Sequence, residues 1–416
     1  MFTRLAARLF GSGSLHVAAW LMLGGVGYTV GNLAFAAALE PADFGRLALF
    51  QALLGVASGL APLGLDQLVV RRELQVGPAS LRRAFAAGAT VAAGVALAAL
   101  AFGLKWAAVT LLVVAVLASA AARVGAARQQ GALRLARAQL VVQLPFLAFG
   151  VGGLAVVGLA ISDWAAGAAL LAGGHVAAAG LGAAMQIRDP REPEAPVPRS
   201  PDRQAWRRAL AFAGILASAL LLHHMERLVI PVRIGLEALA TYTVVATVVA
   251  SPYRLLHGGI AFALMPRIRA EPEADGWRRV LLSELALAAV LGLGGGLVLL
   301  AVADPFIRLL YGAKYPVTLP LVVVLVLAGI VRVLYAVPAA GVSALGAADQ
   351  LRRFNALGWL ATAVAAGAAM LLARYGLPGV VAGVALGWLV RLLVAVLLLR
   401  PVFARARAQG SAGGVA

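Results

Sequence analysis

Apolar runs of roughly twenty residues recur along almost the whole chain with little between them. Each is long enough to cross a hydrocarbon core of about 30 Å as an α-helix. In the first half the runs lie near Leu15–Leu39, Ala48–Val70, Ala84–Leu104, Trp106–Ala122, Leu140–Ala160 and Trp164–Met185. In the second half they lie near Ala209–Ile230, Ala238–Met265, Val280–Val302, Val317–Leu345, Ala356–Ala373 and Leu377–Leu399. The pattern predicts an all-α integral membrane protein of about twelve transmembrane helices, with ends placed to within a few residues. The eighth and tenth runs are long enough to tilt or to project beyond the bilayer. Composition agrees, since 62% of residues are hydrophobic and 12% charged, against roughly half and a quarter in soluble domains. No room remains for a large soluble domain.

The formal charge of +18 would suggest nucleic acid in a soluble protein, but here it follows topology. Arginines gather in alternate loops: Arg4 and Arg8; Arg71, Arg72, Arg82 and Arg83; Arg123, Arg128, Arg134 and Arg137; Arg188 to Arg208; Arg267, Arg269, Arg278 and Arg279; Arg352 and Arg353; then Arg400, Arg405 and Arg407. The intervening turns hold only Arg46, Lys105, Arg233, Arg308, Lys314 and Arg374. Positive charge marks the cytoplasmic side, so both termini are expected there and no nucleic-acid partner is expected. Met1–Ala38 also has the order of a cleaved signal, but its apolar part exceeds the usual length of such segments. The chain has no cysteine, which excludes disulfides, thiol catalysis and zinc–thiolate sites. Richness in Ala, Gly, Leu and Arg, with Lys only at Lys105 and Lys314, suggests a GC-rich bacterial source.

Between Arg188 and Arg208 stand Pro190, Pro193, Pro196, Pro198 and Pro201, the composition of a stiffened polar linker. The expected organisation is therefore an N-terminal six-helix bundle over residues 1–187, a cytoplasmic linker over 188–208, and a C-terminal six-helix bundle over 209–416 with a short basic tail. Glu40 to Gly45 precedes the second run much as Gly235 to Ala240 precedes the eighth, a faint echo that fits parallel repeats. Two such bundles suit a transporter that rocks one against the other. Catalysis has little support: there is no paired-carboxylate constellation, no phosphate-binding Gly-x-x-x-x-Gly-Lys loop and no His-Glu-x-x-His motif.

Ionisable residues inside the runs are the candidate pathway, because a charge at bilayer depth costs about 2.5–3.5 kcal/mol on insertion scales unless it meets water or a partner. Arg254 and His257 share a face of the eighth run, and Arg332 sits near the middle of the tenth. Arg254 and Arg332 either line a cavity and bind phosphate or snorkel to the interface; the depth of Arg332 favours the first. For Arg391 snorkelling is the expectation. His223, Glu226 and Arg227 share a face of the seventh run, as a proton or sodium coupling or gating site or as a local ion pair holding the outer end of the helix. His175 is expected to be neutral and hydrogen-bonded between helices. Asp66 and Glu284 are expected to pair with nearby arginines. An Arg332→Ala variant is expected to cripple export without lowering protein abundance.

The stretch Leu39-Glu40-Pro41-Ala42-Asp43-Phe44-Gly45-Arg46, followed by Leu63-Gly64-Leu65-Asp66-Gln67 through Arg72, resembles the start of the second helix in polysaccharide-biosynthesis flippases of the Wzx type. These belong to the multidrug/oligosaccharidyl-lipid/polysaccharide exporter superfamily. Met225 to Ile230 with Gly235 to Tyr242, Asp304 to Tyr315, and Gly341 to Asn355 are similar to that family's second half. The resemblance implies a MATE-like fold of two pseudo-symmetric bundles in the bacterial inner membrane. It implies movement of an undecaprenyl-diphosphate-linked oligosaccharide to the periplasmic leaflet by alternating access, for O-antigen, capsule or exopolysaccharide assembly. The expected partners are that substrate, membrane lipids, and a polysaccharide polymerase with its chain-length machinery; no cofactor is expected beyond the coupling H+ or Na+. Arg254, Arg332 and His257 are then the substrate-binding candidates. Glu226 stands where the family would carry aspartate, and the two extra helices of lipid II flippases are absent, which disfavours a peptidoglycan precursor. The competing reading is a cation-coupled exporter of drugs or metabolites, which would be expected to carry more buried acid.

Overall fold

The computed structural model describes residues 12–71, 73–132, 134–188, 201–270 and 274–412. All regular structure among them is helical. The helices are α1 Ser12–Ala38, α2 Pro41–Leu60, α3 Leu65–Val70, α4 Pro78–Ala101, α5 Trp106–Gly131, α6 Leu135–Gly158 and α7 Trp164–Arg188. They continue as α8 Arg203–Arg233, α9 Leu236–Ala270, α10 Ala274–Tyr311, α11 Leu319–Leu345, α12 Ala348–Leu372 and α13 Gly376–Ala412. Ten stretches are long and apolar enough to cross a membrane, the last of which, Asp349–Pro401, covers both α12 and α13. This is a multi-pass membrane protein with a long helix at each of the expected spans except the second, which is divided. Most of the proline-rich linker, residues 189–200, lies outside the described residues.

The second run is not one helix. Pro62 has no N–H to continue the ladder of α2, and Leu63 and Gly64 turn into the left-handed region at φ 45° and 81°. The chain then restarts as the short α3. Glycine is needed at 64 on two counts, its positive φ and the carbonyl oxygen of Ala209, which a Cβ there would meet at 2.1 Å. Helix ends also run past the apolar runs. The 38 residues of α10 span about 57 Å at 1.5 Å per residue, more than the roughly 40–45 Å of a whole bilayer. Arg278 and Arg279 ride on that extension, and Arg267 of α9 pairs with Glu284 of α10, as the sequence suggested for Glu284.

The chain forms two compact units, Met1–Leu220 and Leu221–Ala416, so that the division falls inside α8. The start of α8 belongs with the first unit, where Arg208 pairs with Glu73 at 3.5 Å and Phe212 lies under the guanidinium of Arg71 at 4.6 Å. In that unit α1 and α6 approach through small residues, the usual device for helix contact where lipid removes the hydrophobic drive. A Cβ on Gly150 would lie 2.6 Å from the carbonyl oxygen of Gly27. Just beside it the rings of Phe35 and Phe149 stack at 5.1 Å.

In the second unit α9, α10 and α11 meet around Tyr253. Its buried ring fills the hollow left by Gly329 on α11, where a Cβ would come within 2.4 Å of Tyr253 Cδ2. Its hydroxyl donates to the carbonyl of Gly292 on α10 at 3.1 Å. Gly387 of α13 packs in the same manner against α12, where a Cβ would meet Ala365 Cβ at 2.4 Å and the Ala361 carbonyl oxygen at 2.9 Å, and the tip of Leu222 on α8 lies beside it at 3.1 Å.

Candidate functional site

The Tyr253–Gly329 contact and the approach of Leu222 to Gly387 stand beside the charged residues of four helices. Arg332 lies one turn beyond Gly329 on α11, and Arg254 and His257 follow Tyr253 on α9. Glu226 lies one turn beyond Leu222 on α8, and Trp388 and Arg391 follow Gly387 on α13. Residues three or four apart share a helix face, so His257 goes with Tyr253, Arg332 with Gly329, Glu226 with Leu222 and Arg391 with Gly387, and Arg254 shares the face of His257.

Glu226 and Arg332 are both buried, and Glu226 Oε1 lies 3.7 Å from Arg332 Nη2. The guanidinium of Arg332 sits over the ring of Trp388 at 4.7 Å, and that of Arg391 lies 5.9 Å from the same ring. His257 Nδ1–H donates to the backbone carbonyl of Arg332 at 3.0 Å, and its ring is parallel to that of Tyr335 at 6.2 Å. The ring of Tyr335 in turn meets Trp388 at 5.5 Å and 60°, and Tyr335 is hydrogen-bonded to Arg391. Glu226 feels the charges of Arg332, Arg254 and Arg227, and His223 those of Arg332 and Arg254. One carboxylate thus stands among the charges of Arg227, Arg254 and Arg332, with Arg391 joined to the cluster through Trp388, which it shares with Arg332. Arg254, His223, His224 and His257 are half-buried, and there the cluster reaches the surface of the unit.

The two groups that the sequence kept apart are therefore one. Arg254, Arg332 and His257 join His223, Glu226 and Arg227, and Glu226 reaches across to α11 rather than serving only its own helix. Arg391 is not extended toward the interface: it is buried with Trp388 and Tyr335. An alanine at position 332 would leave Glu226 without its ion-pair partner, so that variant is expected to lower abundance as well as activity. Sequence reasoning passed over Tyr335 and Trp388. The available clue was spacing, since each stands three residues from a deep arginine, Arg332 and Arg391.

In the first unit His175 is buried, but its Nδ1 bonds the carbonyl of Leu171 in its own helix at 2.8 Å, not a neighbouring helix as expected. It lines a small cavity with Ser58, Ser119 and Arg123. Asp66 is buried and feels the charge of Arg123. Among the described residues no group of three His, Cys, Asp or Glu is placed to hold a metal ion.

The model of a family described as "Polysaccharide biosynthesis protein" matches residues 35–320. No curated protein matches the sequence significantly. Among solved structures, an inward-facing multidrug resistance MATE family transporter of the MOP superfamily aligns with a TM-score of 0.67 at 16% identity, over 92% of this chain and 96% of the other. A eukaryotic MATE transporter, AtDTX14, aligns with a TM-score of 0.60 at 12% identity, over 96% and 100%. A MOP superfamily transporter from Pyrococcus furiosus, described by the reversed polarity of its binding pocket, aligns with a TM-score of 0.62 at 14% identity, over 96% of each chain. At such identities the likeness establishes a MATE-like fold.

Proposed function

The chain belongs to the polysaccharide biosynthesis protein family, and from this premise we propose that it is a flippase for a polyprenyl-diphosphate-linked oligosaccharide. It works by alternating access in the bacterial inner membrane, with both termini cytoplasmic, and supplies surface polysaccharide assembly. The observation that carries this reading is the excess of guanidinium over carboxylate in the second unit's cluster: Arg227, Arg332 and Arg391 buried and Arg254 half-buried, against Glu226. A guanidinium presents a planar fork of donors that matches phosphate oxygens in pairs. A diphosphate headgroup carries its charge on just such oxygens, and moving it unaided across hydrocarbon is prohibitive. The cluster offers it fixed counter-charge within the span, while the polyprenyl tail stays in lipid, where each methylene is worth about 0.8 kcal/mol.

The test is the sidedness of the lipid-linked oligosaccharide in a deletion strain, read with a membrane-impermeant glycan-modifying reagent at the periplasmic face. The unit should accumulate unexposed and become exposed on complementation. Complementation with Arg332→Lys, which keeps a charge opposite Glu226 but lacks the fork, should restore protein abundance and not full exposure. Unchanged exposure in the deletion strain would refute the reading.

A cation-coupled multidrug or metabolite exporter is the second reading, and the observation on its side is Glu226, a buried carboxylate of the kind a coupling cation needs. It predicts drug hypersensitivity on deletion with glycan exposure intact.

A further inference from the structure

A buried ion pair built for stability is short and two-pronged, with bonds of about 2.7–2.9 Å and the remaining donors satisfied. The pair between α8 and α11 is neither. Its single contact is 3.7 Å, and Glu226 Oε2 and Arg332 Nε have no hydrogen-bond partner among the described residues. Trp388 covers the face of the Arg332 guanidinium, so the donor-bearing edge, not the face, is what a ligand would have to engage. The pair therefore compensates charge without saturating either group. The position of Glu226 on α8 gives that compensation a further consequence. Arg227 is its chain neighbour, Arg254 comes from α9 and Arg332 from α11, and all three act on this one carboxylate.

We propose that Glu226 is an internal counter-ion that an anionic headgroup displaces from Arg332. This rests on the diphosphate reading of the same cluster. With the site empty, Glu226 offsets the charge of Arg332, which buried alone would be costly. When a diphosphate arrives, its oxygens take the guanidinium edge that Glu226 contacts at long range, and the carboxylate is left facing another anion. The repulsion opposes tight binding. A carrier that holds its cargo with four guanidiniums and no opposing charge would bind well and release slowly, since tightening of an interface is expressed mostly as slower dissociation. Glu226 is thus a positioning and release residue: it keeps the cluster neutral enough to stay folded and weak enough to let go.

The experiment uses the full chain purified in detergent, with radiolabelled farnesyl diphosphate as the probe and inorganic pyrophosphate as competitor. Glu226→Gln should bind the probe more tightly than wild type, on the order of tenfold, within the range of close charge-pair couplings. Its dissociation should slow by a similar factor. Glu226→Asp, which keeps the charge for folding but draws it back from Arg332 by one methylene, should fall between the two. Arg332→Gln should weaken binding. If Glu226→Gln and Glu226→Asp bind no more tightly than wild type while Arg332→Gln binds worse, the counter-ion is overturned and the diphosphate reading stands. If Arg332→Gln binds as well as wild type, or wild type does not bind the probe, the diphosphate reading falls and the counter-ion with it.

Discussion

Separating Glu226 from Arg332 is the perturbation with the largest expected effect on stability. At the observed 3.7 Å, two unit charges attract by about 4 kcal/mol for an effective dielectric constant of about 20. Breaking a buried pair by removing one partner typically costs about 3–5 kcal/mol, because the other charge is left behind. The surroundings make the two single losses unequal. Arg332→Met leaves Glu226 still facing Arg254 and Arg227, so its cost belongs at the low end of that range. Glu226→Leu removes the one carboxylate that, among the described residues, stands with Arg227, Arg254 and Arg332, and belongs at the high end. The double variant, Glu226→Leu with Arg332→Met, replaces both charges by apolar groups and should recover most of the Arg332→Met loss and part of the Glu226→Leu loss. Chemical unfolding of the full chain in detergent, with the four proteins arranged as a double-mutant cycle, measures the coupling. A double variant whose loss equals the sum of the single losses to within about 0.5 kcal/mol would refute the reasoning, because the two groups would then not interact.

Two further outcomes follow from packing and surface charge. Gly150→Ala would place a Cβ 2.6 Å from the Gly27 carbonyl oxygen, backbone that has no rotamer with which to yield; a loss of about 1–3 kcal/mol should appear as a lower Tm, whereas Gly294→Ala, with nothing within 4 Å, should not lower it. Glu284→Gln removes the partner of Arg267, whose side chain is 45% exposed, and should change unfolding free energy by less than about 1 kcal/mol.

Much of the fold was legible because a bilayer imposes one strong rule on sequence, a run of apolar residues long enough to cross it. The long helices and the deep positions of Arg254 and Arg332 follow from that rule read along the chain, while the resemblance to a family of exporters rested on separate stretches at the helix ends. It gave a single second span where Pro62 and Gly64 break it, because mean apolarity hides one missing N–H and one left-handed residue. Periodicity also assigned the face that each charge occupies: His223, Glu226 and Arg227 on one, Arg254 and His257 on another. Only the tertiary structure decided that these faces meet. The meeting goes with Tyr253 in the hollow at Gly329, with Gly387 packed on Ala361 and Ala365, and with Leu222 beside Gly387, contacts between residues far apart in sequence. In lipid no general apolar drive selects one helix pairing over another, so small residues and close packing choose. That choice put Glu226 opposite Arg332 and drew Trp388, Tyr335 and Arg391 into the same cluster, an arrangement that no spacing within a single helix could specify.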